Sequence, residues 1–97
     1  MLLSESRLKE IEDRLAKTTP RPWAHEWSGN EGDLDAGHGV VSMDHGEICR
    51  IRGHLPPEQQ AANGVFIAEA PNDVAELLAE VRRLRQRLRE QGLPETE

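Results

Sequence analysis

The chain has 97 residues, of which 36% are hydrophobic and 31% charged, and a net charge of -6. This bounds it to one small domain with a modest core, and it argues against general nucleic-acid binding, which needs a basic footprint. No apolar run approaches the roughly 20 residues of a membrane span.

"MLLSES" turns polar too soon for a signal peptide, and the single Cys49 excludes an internal disulfide. The expected setting is therefore a reducing, cytosolic one. A mean hydropathy of -0.69 is polar for a compact monomer and fits a partly extended helical protein or an oligomer.

Residues 1–18 predict a helix. Leu8, Ile11 and Leu15 share one face, Ser4 or Ser6 can cap it, and Pro20 forces an end. Residues 20–55 hold six of the eight glycines and no helical period, which predicts a small antiparallel sheet of two or three strands. "PWAHEW" alternates, so Trp23, His25 and Trp27 share a strand face. "SGNEGDLDAGHG" reads as a loop. "VVSM" and "EICRIR" flank "DHG", a hairpin with Gly46 in the left-handed region. In that hairpin Val41 and Met43 line one strand face, and Cys49 and Ile51 line another.

A helix over residues 57–70 follows the Pro56-Pro57 pair, with Ala61, Val65 and Ala68 facing inward and Phe66 near the edge. Pro71 resets the chain, and Asn72 caps a last helix over residues 72–91. In that helix Val74, Val81 and Leu88 recur every seven residues with Leu77 and Leu84 between them, an a/d seam. Gly92 and Pro94 stop it, and residues 92–97 form a frayed tail. The fold class is α+β: an N-terminal helix, a small sheet and two C-terminal helices in a single domain.

The seam can pack on the first helix of its own chain or on a second copy. The second option makes Val74, Leu77, Glu80, Val81, Leu84, Arg85 and Leu88 an oligomer interface, dimeric or larger. In a parallel pair Glu80 at g then meets Arg85 at e of the partner. "RRLRQRLR" carries five arginines in eight positions. Phosphate contact is one use for them, but Glu76, Glu80 and Glu90 interleave and no aromatic lies among them to stack bases.

His38, His45, Cys49 and His54 lack metal-site pairs such as CxxC or HxxxH, so no metal is expected. Cys49 with His45 lacks a third orienting group, and no nucleotide or hydrolase motif occurs, so neither an enzyme nor a cofactor is expected. Trp23 reads as a core anchor. Trp27, Arg21, Arg50, Arg52 and His25 form the candidate ligand-binding set, with the chemistry of a nucleotide pocket.

"TTPRPW" and "NGVFIAEAPNDVAELLAEVRRLR" resemble the "ATPGPW" and "NAxFIAxAPxDVxxLLxEVxxLR" segments of small uncharacterised actinobacterial phage and prophage proteins. The Ead-like phage family is a more distant relative. Thr19, Pro20, Pro22 and Trp23 fit the first motif, and Arg21 replaces its glycine. Phe66, Pro71, Asp73, Val74, Leu77, Val81 and Leu84 are among the matches to the second, and Gly64 replaces its alanine. The resemblance implies an accessory phage-type product with no catalytic residues to carry over. The expected function is thus non-enzymatic binding, to a host protein, as a homo-oligomer. A sponge for a nucleotide immune signal (an anti-defence role) is the alternative, and DNA binding through the arginine-rich helix is the third.

Overall fold

A computed structural model describes residues 3–29 and 36–94. The order of elements is helix α1 (Glu5–Ala16), strands β1 (Trp23–Ser28), β2 (Gly37–Ser42) and β3 (Gly46–Arg50), then helix α2 (Pro57–Glu90). The fold class is α+β. The chain divides into two compact units, one formed by α1 with the chain from Asp73 onward, the other by Thr19–Asn72.

In the first unit, Ser4 caps α1 by accepting a hydrogen bond from the Arg7 amide at 3.1 Å. Capping answers one of the orphan donors that every helix start leaves. At the other end the Thr18 hydroxyl donates to the Leu15 carbonyl at 2.7 Å, short of Pro20. Leu8 is fully buried, with Ile11 and Leu15 half-buried on the same face. The C-terminal stretch of α2 closes in a Schellman motif. Gly92 has φ +70°, the Leu93 amide reaches the Leu88 carbonyl at 2.8 Å, and the Gly92 amide reaches Arg89 at 3.1 Å. Arg85 bonds Glu5 and Leu3, whereas Arg82 reaches on to Glu12. Later residues of α2 meet earlier residues of α1, so the two stretches run antiparallel.

In the second unit, the sheet has the order β1-β2-β3, antiparallel throughout. The register sets Trp23 opposite Ser42, His25 opposite Val40 and Trp27 opposite His38. One sheet face therefore carries Trp23, His25, Trp27, His38, Val40 and Ser42. Val40 is fully buried and Ser42 nearly so. Gly46 closes the hairpin at φ +89°, and the pairing of β2 with β3 shifts between Val40 and Val41. Met43 lies in the turn and is exposed, so it does not line the Val41 face as the alternation suggested. The bend consumes Met43 before the alternation can continue. Trp23 is half-buried, and its indole N–H donates to the Thr19 carbonyl at 2.9 Å. The Arg21–Pro22 peptide is cis.

One expectation fails outright. The predicted helices 57–70 and 72–91 are a single helix of 34 residues, with Pro71 inside it and Asn72 a helical residue rather than a cap. The proline removes one backbone bond, a loss of about 3 kcal/mol in an ordinary helix interior. Here its ring is buried and its carbonyl accepts the Arg21 guanidinium at 3.1 Å, which offsets part of that loss. The inward phase matches the expected one at Ala68 and differs at Val65. Gly64, Ala68 and Pro71 are the buried positions, while Val65 and Phe66 are exposed, Phe66 by 72%.

Candidate functional site

The open face of α2 carries the most distinctive geometry. Of the seam residues, Val74, Val81 and Leu88 are half-buried, whereas Leu77 is 65% and Leu84 45% exposed. The helix face turned to α1 is instead Val74, Leu78, Val81 and Arg85. An α1 packed to one side of the seam leaves the Leu77–Leu84 ridge uncovered. Seven residues separate these leucines, about 10 Å along a helix.

Beside the ridge lies an apolar cleft of about 190 Å3, lined by Leu3, Leu8, Ile11, Val74, Leu77, Leu78 and Val81. Two shallow depressions flank it on the ridge itself. Leu77 sits among Asp73, Glu76 and Glu80, and Leu84 sits among Arg87, Leu88 and Gln91. The ridge is thus acidic toward its start and basic toward its end.

Arg85 is not presented to a partner. It is 6% exposed and donates to Glu5 Oε1 at 3.1 Å and to the Leu3 carbonyl. Arg82 donates from Nε to Glu12 at 2.9 Å and from Nη1 to Glu5 at 2.7 Å. Glu80 accepts from Arg83 Nε at 3.0 Å. The expected parallel Glu80–Arg85 pair between chains therefore has both members engaged within one chain. Three of the five clustered arginines are committed to carboxylates of their own chain. The signal for this lay in the charge pattern of α1, where Glu5 and Glu12 stand seven apart on one face, but it has no meaning until the two stretches are known to pack.

These bonds shift the ionisation of their members. Hydrogen bonds first from Arg82 and then from Arg85 hold the Glu5 carboxyl below its ordinary 4.5, and that of Arg83 does the same to Glu80. Arg82 is raised by Glu5 and then Glu12, and Arg83 by Glu80. A carboxyl with a depressed folded-state pKa stabilises the fold above its unfolded pKa, and that contribution is lost as pH falls through the folded value. A Glu5→Gln variant should therefore melt below wild type at neutral pH. The gap should stay constant down to about pH 5 and close as acid protonates Glu5 in the parent. A gap unchanged at pH 2 would remove this role for Glu5.

Of the expected ligand-binding set, His25 and Trp27 meet at His38, while Arg21 and Arg50 are turned to other partners. His25 Nε2 lies 2.8 Å from His38 Nδ1, with the rings stacked at 4.9 Å, and Trp27 meets His38 edge-on at 5.0 Å. The histidine bond needs one ring to offer N–H and the other a lone pair. Trp27 remains 55% exposed. Arg21 is turned to the Pro71 carbonyl. Arg50 pairs with Gly39 in the sheet, on the face opposite His25, and bonds Glu47 at 3.0 Å. Arg52 is exposed beyond β3. His38 was the member missed. The alternation of "WAHEW" grouped His25 with Trp27, but only the β1–β2 register brings His38 to them.

Cys49 is half-buried opposite Val40. Among the described residues no three His, Cys, Asp or Glu side chains gather as metal ligands, and no helix is long and apolar enough to cross a membrane. Half of the expected glycine-rich loop, residues 30–35, and the end of the expected frayed tail, residues 95–97, lie outside the described residues, and the last three loop residues, Gly37, His38 and Gly39, belong instead to β2. In comparison with known proteins the chain matches no family model, no curated sequence and no solved structure.

Proposed function

We propose that the chain is a non-enzymatic accessory protein of phage or prophage type that acts by binding, as a homo-oligomer joined through the C-terminal part of α2. The single observation behind this reading is the exposed ridge of Leu77 and Leu84 beside a cleft lined only by apolar side chains. Isolated exposed leucines are ordinary, but two at heptad spacing beside an apolar cleft are what a second helix packs against. The sheet unit is left free to meet a host protein in the cytoplasm. Sedimentation equilibrium at micromolar concentration should return a mass of at least twice the 10.9 kDa of the chain. A mass of 10.9 kDa at every concentration would overturn the homo-oligomer.

A second reading, capture of a nucleotide signal, draws on the exposed indole of Trp27 against His38. An aromatic face of this kind stacks bases at about 1–3 kcal/mol each. It requires a cyclic or ADP-ribose-type nucleotide to raise the melting temperature. The arginine row is the weaker support for a DNA-binding reading, because Arg82, Arg83 and Arg85 hold carboxylates.

A further inference from the structure

We infer that the second copy packs on the Leu77–Leu84 ridge antiparallel, about a two-fold axis near Glu80, with Leu84 of each chain seated in the cleft of the other. This rests on the homo-oligomer reading above and adds its direction and register. Two observations carry it.

The first is the charge along the ridge. Asp73, Glu80 and Arg87 occupy one flanking row at heptad spacing, and the surroundings of Leu77 are acidic while those of Leu84 carry Arg87. In a parallel copy this row meets Leu78, Arg85 and Gly92 of the partner, so Asp73 and Arg87 find no opposite charge. An antiparallel copy sets Asp73 of each chain opposite Arg87 of the other, twice over. Isologous two-fold contacts of this kind are self-complementary by construction. Glu80 approaches its own mate at the axis, but each Glu80 already carries the Arg83 guanidinium at 3.0 Å, which offsets the repulsion.

The second is shape. Val74, Leu77, Leu78 and Val81 stand at i, i+3, i+4 and i+7, a four-residue hole turned to α1 on its Val74, Leu78 and Val81 side and open on its Leu77 side. With Leu3, Leu8 and Ile11 they enclose the cleft of about 190 Å3. An apolar cavity of roughly 150 Å3 admits a benzene molecule, so this one has room for a leucine side chain. In the antiparallel register, Leu84 of the second copy stands level with Glu76, between Val74 and Leu77 at the mouth of that cleft. The parallel alternative has neither feature: it gives Asp73 and Arg87 no opposite charge, and its one ion pair would need Arg85, which is buried against Glu5 and Leu3.

The test uses the full chain with Cys49→Ala, carrying either Asp73→Cys or Arg87→Cys. Oxidation of the two proteins mixed together should give the 73–87 disulfide, and neither alone should cross-link. In parallel, Asp73→Arg should raise the dimer dissociation constant about tenfold, Arg87→Asp likewise, and the two together should restore it. Asp73→Cys cross-linking to itself in a dimeric protein would overturn the antiparallel register while leaving the homo-oligomer reading intact. A dimer that cross-links at neither position places the interface elsewhere and overturns the inference. A monomeric parent overturns the reading beneath it as well.

Discussion

Leu8→Ala should lower the stability of the fold by about 3 kcal/mol and release α1 from the C-terminal stretch of α2. Leu8 is 0% exposed and is the fully buried member of the α1 face. Truncating a buried leucine costs the lost transfer energy and the cavity left behind, about 2–5 kcal/mol in all. The cleft beside Leu8 is already open, and the truncation enlarges it. A helix of 12 residues is marginal alone, so α1 depends on this burial to remain folded. The ion pairs cannot substitute for it. Glu5 and Arg82 are about half-exposed, and water screens such a pair to little net worth. Urea denaturation followed by far-UV circular dichroism measures the effect. A loss below about 1 kcal/mol would mean that α1 is held chiefly by its charges.

Gly64→Val should destabilise the sheet unit by about 2–3 kcal/mol, although valine forms helix better than glycine. A Cβ at position 64 would lie 2.5 Å from His25 Cδ2, well inside contact distance. A free imidazole would swing aside, but this one is bonded to His38 and stacked on it. The strain therefore passes into the pair or into the packing of helix on strand. Even Gly64→Ala should cost stability, against the gain of about 1 kcal/mol that alanine brings to an open helix site. In a His25→Ala background the sign should reverse, because the obstructing ring is gone. A double-mutant cycle by thermal or urea unfolding reads this coupling directly. Additive effects of the two substitutions would show that Gly64 and His25 do not constrain each other.

The same glycine shows where sequence reasoning stops. Asn63-Gly64 reads as a weak point in a helix, since glycine costs conformational entropy there. Its use as a place where helix and strand approach closely depends on a contact far along the chain. Pro71 misled for a related reason: local preference ends a helix before proline, while burial of its ring and a donor from Arg21 keep the helix going. Strand alternation, the Gly46 hairpin, the Ser4 cap and the Gly92 stop were legible because each is a local property of a few residues. The heptads in α2 were legible too, but not which side of them α1 would cover. That choice is settled by Leu8, Glu5 and Glu12 together, and it turns Arg85 inward while leaving Leu77 and Leu84 outside.

The central claim is that the ridge of Leu77 and Leu84 joins two copies of the chain, and Leu84→Asp tests it most directly. Leu84 is exposed within one chain, so a charge there should leave the fold and its helix content intact. Sedimentation equilibrium should show the parent at twice 10.9 kDa or more and the variant at 10.9 kDa, with far-UV spectra that superimpose. A variant that keeps the mass of the parent, or a parent that sediments at 10.9 kDa, would contradict it.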